Sequence, residues 1–111
     1  MEDKLKIYYD ALNLWGLHSQ IDMCIEEMSE LIKELLKYKR GNFNMEEICE
    51  EIADVEITVG QMKMIFNTCQ SVEKYTEEKL HRLQERIEKS TNKYKEKQYK
   101  HPHDERGWQP K

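Results

Sequence analysis

Residues 26–54, EEMSELIKELLKYKRGNFNMEEICEEIAD, decide the fold of this chain. They contain two acidic motifs, EEMSE at 26–30 and EEIAD at 50–54, each within a helical pattern of apolar residues. Carboxylates three residues apart project from one side of a helix. Two such pairs on neighbouring helices can converge on one point, where they repel one another unless a hard divalent cation lies between them. The stretch therefore predicts two helices that share a metal site.

A short turn at 41–43 separates the two helices and folds the second back along the first. We predict helix 2 over 19–40, with Ser19 as its N-cap. We predict helix 3 over 44–67, with Asn44 and Glu47 as a capping-box-like start. The two helices should therefore pack as an antiparallel hairpin.

The register of this hairpin brings the acidic motifs to one height. Glu30 lies 11 residues before Gly41, and Asp54 lies 11 residues after Phe43. At a rise of ~1.5 Å per residue, both are about 16 Å from the turn. The carboxylates that we expect to meet at this height are those of Glu27, Glu30, Glu51 and Asp54. Glu26 falls further round helix 2, toward solvent.

Apolar residues at helical spacing predict the core faces of both helices. The stripe of helix 2 consists of Ile21, Cys24, Met28, Leu31, Leu35 and Tyr38, and that of helix 3 of Ile48, Ile52, Val55, Val59, Met62 and Phe66. Helix 3 has a second apolar side, which consists of Ala53, Ile57, Gly60 and Met64. A helix that is apolar on two sides is buried on two sides. We therefore expect a homodimer or a homotetramer.

The flanking segments complete an all-α, four-helix bundle-like subunit of antiparallel helices. Helix 1 is predicted over 2–14 with Gly16 as its stop, and helix 4 over 71–97 with Ser71 as its cap. Both prolines lie in the last ten residues, so no helix breaker interrupts the preceding hundred positions. We expect one domain over 1–98 and a disordered tail over 99–111.

Charge and cysteine usage narrow the function classes. Residues 1–73 carry 7 Lys+Arg against 15 Asp+Glu, whereas residues 74–100 carry 9 against 5. An acidic body is not the footprint of a protein that binds a nucleic acid polymer. Three cysteines without a CxxC pair argue against a disulfide framework and favour a reducing cytoplasm. The N-terminus lacks a signal-peptide pattern, and no run approaches membrane-spanning length.

At its two acidic motifs the chain resembles the MazG-like, all-α nucleoside triphosphate pyrophosphohydrolases, a family that includes the dimeric dUTPases. The family pattern is Glu-Glu-x-x-Glu on one helix and Glu-x-x-Asp on the next. This sequence has Glu26-Glu27-Met28-Ser29-Glu30 and Glu51-Ile52-Ala53-Asp54 at those places. The resemblance covers residues 15–66 well and helix 4 loosely. A di-iron bundle would require Glu-x-x-His pairs, and neither motif ends in His.

The resemblance implies Mg²⁺-dependent cleavage between the α- and β-phosphates of a nucleoside triphosphate, which releases a monophosphate and pyrophosphate. It also implies that Mn²⁺ can substitute for Mg²⁺. By the motif match, the metal ligands are Glu27, Glu30, Glu51 and Asp54. Glu26 would orient water beside the metal. The preferred base is not indicated.

Five residues outside the acidic motifs each have two possible roles. Lys79, Arg82 and Arg86 flank the apolar stripe of helix 4, either as a solvated face or as phosphate contacts. Trp15 is either a core aromatic or a stacking partner for a base. His18 is either a capping or surface residue or part of the same base site. For the whole chain, the alternatives to an enzyme are a non-catalytic helical interaction protein and a nucleotide sensor without turnover.

Overall fold

A computed structural model of the chain consists of four α-helices. It describes the backbone of residues 3–100 and the side chains of residues 3–95. The helices are α1 (Asp3–Trp15), α2 (Leu17–Lys39), α3 (Met45–Ile65) and α4 (Cys69–Lys100). Residues 3–100 contain no strand, which confirms the predicted all-α class. Helix α4 extends three residues beyond its predicted end at 97, and the remainder of the predicted tail, 101–111, lies outside the described residues.

A single glycine joins α1 to α2. Gly16 has φ 88°, and its N–H donates to the carbonyl of Leu12 at 2.8 Å. This left-handed conformation ends α1 and lets α2 begin at the next residue without a capping side chain. The prediction that Ser19 caps α2 is therefore wrong, since Ser19 lies inside the helix.

A Schellman motif closes α2 at the turn. The N–H of Asn42 donates to the Lys37 carbonyl at 3.1 Å, and the N–H of Gly41 donates to the Tyr38 carbonyl at 3.0 Å. Gly41 has φ 99°, a left-handed conformation that glycine adopts without strain. The turn predicted at this glycine therefore has a specific backbone cause.

The side chain of Asn44 ties the start of α3 to the last turns of α2. Its Nδ2 donates to the main-chain carbonyl of Glu34 at 2.9 Å and to Glu34 Oε1 at 2.7 Å, and both residues are buried. Asn44 is the N-cap residue of α3, but its side chain makes no capping hydrogen bond. The predicted capping box is therefore wrong, because the Asn44 amide is committed to the buried Glu34 carboxylate. This hydrogen bond also lowers the Glu34 pKa.

The end of α3 repeats the same motif with asparagine. Asn67 has φ 52°, its N–H donates to the Met64 carbonyl at 3.1 Å, and the N–H of Thr68 donates to the Lys63 carbonyl at 3.0 Å. Helix α4 begins at the next residue, so the predicted cap Ser71 lies inside it. The chain divides into two compact units between Cys69 and Gln70.

The predicted apolar stripes of α2 and α3 are buried only in part. On α2, Gln20, Cys24 and Glu34 are buried, whereas Met28, Leu35 and Tyr38 are exposed. On α3, the buried residues are Ile48, Thr58 and Gln61, whereas Ile52, Val59 and Phe66 are exposed. Burial of Cys24 and Ile48 confirms part of the predicted stripes, but polar side chains are buried beside them. The glutamates predicted to flank the core thus lie at the helix–helix contact.

Little apolar surface is buried within this chain. Among the side chains of residues 3–95, the apolar ones that are buried are Tyr8, Cys24 and Ile48. Tyr8 packs against Gly60, where an added Cβ would lie 3.0 Å from the tyrosine oxygen. The prediction that Gly60 faces another subunit is therefore wrong, because α1 covers it. In contrast, an exposed row with a spacing of seven residues follows α3 to its C-cap, and we call it the exposed apolar row; it consists of Ile52, Val59 and Phe66.

Residues 3–100 contain no helix with the length and apolar character needed to cross a membrane. The three cysteines are free thiols: Cys24 is buried, and Cys49 and Cys69 are exposed.

Candidate metal centre

The hairpin brings the two acidic motifs together. One carboxylate oxygen from each of Glu27, Glu51 and Asp54 lies within 4.8 Å of the others. Glu27 comes from α2, and the other two come from consecutive turns of α3. We call these three residues the acidic cluster. Their approach follows from the register of the antiparallel hairpin, since each motif lies at a similar distance from Gly41.

Two carboxyl groups of the acidic cluster, those of Glu27 and Glu51, have raised pKa values. Burial, a hydrogen bond with Asp54 and the charges of Asp54 and Glu51 together raise the pKa of Glu27 to about 7, with burial as the largest cause. Burial also raises the pKa of Glu51, followed by the charges of Asp54 and Glu30. Without a cation, protons therefore relieve the repulsion in this cluster.

One oxygen of the acidic cluster lacks a partner. Glu51 Oε2 is enclosed by protein and accepts no hydrogen bond from the described residues. An enclosed carboxylate oxygen without a partner is unfavourable unless something occupies the place beside it. The donors in the cluster are carboxylate oxygens, which suit hard cations such as Mg²⁺. The residues of the acidic cluster therefore fit a divalent cation, for which Glu51 would be the central ligand.

The other two predicted residues of the first motif lie at the margin of the cluster. Glu30 is half-buried, and its charge contributes to the raised pKa of Glu51. It lies outside the set of carboxylates that approach within 4.8 Å. Glu26 is exposed, and its charge makes the smallest of the named contributions to the raised pKa of Glu27. Its main-chain carbonyl accepts a hydrogen bond from the Ser29 hydroxyl at 2.7 Å.

A cavity of about 450 Å³ adjoins the acidic cluster and shares two of its residues. Its lining consists of Trp15, Ser19, Gln20, Met23, Glu27, Asp54, Ile57, Thr58 and Gln61. Trp15, a predicted base-site residue, lies in this wall. His18, the other one, is exposed and is not part of the described lining. The cavity therefore combines an acidic end with an aromatic and apolar wall.

Two glutamines in this wall were missed by the sequence analysis. Gln61 Nε2 donates to Gln20 Oε1 at 2.8 Å across the contact between α2 and α3. Gln20 lies seven residues before Glu27, and Gln61 lies seven residues after Asp54. A spacing of seven is two helical turns, which places each glutamine on the same helix face as its acidic partner. This spacing is the signal that could have identified them.

The basic residues predicted to contact phosphate lie in the second compact unit. Lys79, Arg82 and Arg86 are exposed on α4 at spacings of three and four. Nearby on the same helix, His81 Nε2 and Glu85 Oε2 are 3.7 Å apart. All three side chains predicted to contact phosphate are exposed to solvent within their own unit.

Comparisons with protein-family models, with curated proteins and with solved structures find no match to this chain. The family resemblance accordingly rests on the two acidic motifs of the sequence alone.

The raised pKa values predict that stability depends on pH. Between the ordinary value of 4.5 and about 7, folded Glu27 keeps a proton that the unfolded chain has lost. Stability should therefore decrease as pH rises through this window. Glu51 acts in the same direction. The lowered pKa of Glu34 has the opposite effect on the pH dependence of stability, but that effect lies at pH values below 4.5.

We expect the melting temperature in a chelating buffer to fall between pH 5 and pH 7.5, and to fall less in saturating Mg²⁺, because a bound cation replaces the proton. Glu27→Gln should remove most of the slope seen in the chelating buffer. A melting temperature that is flat across this range in chelator would contradict the electrostatics described for the cluster.

Proposed function

We propose that this chain is a Mg²⁺-dependent nucleoside triphosphate pyrophosphohydrolase of the cytoplasm, which cleaves between the α- and β-phosphates and releases a monophosphate and pyrophosphate. The observation that carries the proposal is the convergence of Glu27, Glu51 and Asp54 beside a cavity of about 450 Å³. Cavities of roughly 300–1,000 Å³ are typical of small-molecule sites. A nucleoside triphosphate bound there would place its phosphate groups beside the carboxylates of the acidic cluster. Because both are negatively charged, a cation must lie between them.

The metal would be held by Glu27, Glu51 and Asp54, with Glu30 as a fourth ligand from the margin of the cluster. Mg²⁺, or Mn²⁺ as a substitute, would neutralise the charge of the phosphates and lower the pKa of a bound water molecule. A carboxylate of the site that is left off the metal would take up the proton of the attacking water. Exposed Glu26, adjacent to Glu27 in sequence, would orient that water.

The rest of the substrate would lie along the cavity. Trp15 offers an aromatic face for a base, and His18 would contact the base from the rim. Lys79, Arg82 and Arg86 are proposed to bind phosphate through charge-assisted hydrogen bonds. The positive charge of residues 74–100 supports their role, because pyrophosphate is highly anionic.

The proposed assembly is a homodimer or homotetramer of four-helix bundle-like subunits. Its support is the small number of buried apolar side chains among residues 3–95, together with the exposed apolar row on α3. Contiguous apolar surface of this kind is typical of an association surface. A second copy is its proposed occupant, since the face repeats at the seven-residue spacing that helices use to pack against one another.

The direct experiment measures pyrophosphate release from a panel of ribo-, deoxy- and damaged nucleoside triphosphates with Mg²⁺. We expect release from at least one nucleotide and none in chelator. In the same assay, Arg82→Ala should lower kcat/KM while leaving the stabilisation by Mg²⁺ unchanged. If the protein binds Mg²⁺ but releases no pyrophosphate, the nucleotide-sensor alternative is favoured. If it shows no Mg²⁺ binding and no release, the non-catalytic helical protein is favoured.

A further inference from the structure

The pair formed by Gln20 and Gln61 is the most enclosed polar contact in the cavity wall. The two residues are only 3% and 8% exposed, and their 2.8 Å hydrogen bond joins α2 to α3. Burying amide groups is unfavourable unless their hydrogen bonds are made, and two apolar side chains of similar shape would fill the same space without that penalty. Packing alone therefore does not account for two amides at this place.

Two of the four polar side-chain atoms of this pair make no hydrogen bond among the described residues. The bond uses Gln61 Nε2 and Gln20 Oε1. Gln20 Nε2 and Gln61 Oε1 have no hydrogen-bond partner among the described residues, and neither is one of the fully enclosed unpartnered atoms. Since both residues line the cavity, the pair offers it an amide donor and a carbonyl acceptor side by side.

We propose that Gln20 and Gln61 together read the edge of the substrate's nucleobase, an inference that rests on the proposed function. Enzymes that hold a single base read its Watson–Crick edge through hydrogen bonds and stack its faces against aromatic or apolar side chains. Such an edge has a donor next to an acceptor, which complements the pair. Trp15 and Met23 in the same wall supply the aromatic and apolar surfaces.

The distance between the pair and the acidic cluster suits a nucleotide. Gln61 lies seven residues beyond Asp54 on α3, which is about 10 Å along the helix axis. A nucleotide with its phosphates at the acidic cluster would place its base at this end of the cavity. Gln20 and Glu27 have the same separation on α2. Each helix therefore contributes one residue to the phosphate end of the cavity and one to its base end.

The pair also determines what kind of selectivity to expect. When both terminal amides rotate by half a turn, the bond between them is kept, but the donor and the acceptor that face the cavity exchange places. Among the described residues, no third side chain bonds to either glutamine and holds one order. The pair therefore selects any base that has a hydrogen-bonding edge. It accepts a base whichever way round the donor and the acceptor lie on that edge.

The test compares dTTP with the triphosphate of its 2,4-difluorotoluene isostere, which keeps the shape of the base and lacks its hydrogen bonds. A site built to hydrogen-bond its substrate strongly rejects an analogue without those groups, so kcat/KM should favour dTTP by at least about 100-fold. In Gln20→Met/Gln61→Met the two kcat/KM values should come within about tenfold, as expected of a purely hydrophobic pocket. Removing both partners avoids leaving one amide buried and unpaired.

Gln70→Met is the matched control, because Gln70 is exposed, and it should keep the full preference for dTTP. Stabilisation by Mg²⁺ should be unchanged in the double variant, which shows that the acidic cluster is intact. If the double variant does not fold, Gln20→Asn keeps the amide but shortens it, and it should lower the preference for dTTP.

Equal use of both substrates by the unmodified protein, or an undiminished preference in the folded glutamine variants, would overturn this inference alone. No release from any nucleotide would overturn the proposed function and the inference with it.

Discussion

Glu51→Gln is expected to abolish pyrophosphate release and, in the absence of metal, to leave the protein as stable as the unmodified chain or more stable. The substitution keeps the shape of the side chain and removes its charge. Glu51 has an enclosed oxygen without a partner and a pKa raised by burial and by neighbouring carboxylates. Removing its charge therefore relieves repulsion in the folded state and takes away a central ligand of the proposed metal.

The response to Mg²⁺ separates this result from simple damage. A metal that binds only the folded state stabilises it by about 2.7 kcal/mol at a hundredfold excess over Kd. For a small domain this corresponds to a rise in Tm of roughly 10 °C or more. We expect the unmodified protein to show this rise and Glu51→Gln to lose it, in thermal melts with Mg²⁺ and with chelator.

Glu46→Gln is the control, because Glu46 is an exposed carboxylate on the same helix. It should keep both turnover and the Mg²⁺-dependent rise in Tm, whatever small change it makes at the first turn of α3. If Glu51→Gln retained full turnover and Mg²⁺ did not alter the Tm of the unmodified protein, the proposed metal centre would be wrong.

Val59→Arg is expected to convert the assembled protein to monomers or to unfolded chains. Val59 is the middle residue of the exposed apolar row and is 39% exposed within one chain. If a second copy covers this row, the substitution buries an unpaired charge, which is strongly unfavourable. Light scattering at micromolar concentration should give a mass of at least twice 13.5 kDa for the unmodified protein and a lower mass for the variant.

Asp22→Arg provides the matched control for the assembly, since Asp22 is exposed on α2 and is polar already. It should leave the mass unchanged. A mass of 13.5 kDa for the unmodified protein would show that the exposed apolar row has no second copy against it. The apolar faces of α2 and α3 would then require a different explanation.

The sequence predicted the hairpin and the meeting of its acidic motifs because both depend on regular geometry. From the helix rise and a short turn at Gly41, four carboxylates were expected at one height. Oxygens of Glu27, Glu51 and Asp54 do lie within 4.8 Å of one another, whereas Glu30 lies outside that set. The role of a metal there stays a prediction. These features were accessible because they require only the helix parameters and the position of the turn.

The rotation of each helix about its own axis could not be predicted in the same way. The apolar pattern placed Met28 and Val59 in the core, whereas the structure exposes both and buries Gln20 and Gln61 instead. Hydrophobic periodicity identifies an apolar face but not which neighbour covers it. Where α2 and α3 meet through hydrogen-bonded polar pairs, the face that they share depends on those specific partners, which no periodicity reports.

The hydrogen bond between Asn44 and Glu34 has a consequence for the order of folding. It closes a loop of about ten residues, and loops of that size close in roughly 10–100 ns, with an entropic penalty that grows only slowly with length. The hairpin can therefore nucleate at its turn and zip toward the acidic cluster through contacts of low sequence separation. The carboxylates meet only after several turns have already paired. Mutual repulsion in the acidic cluster thus acts late, when the growing hairpin can already offset it.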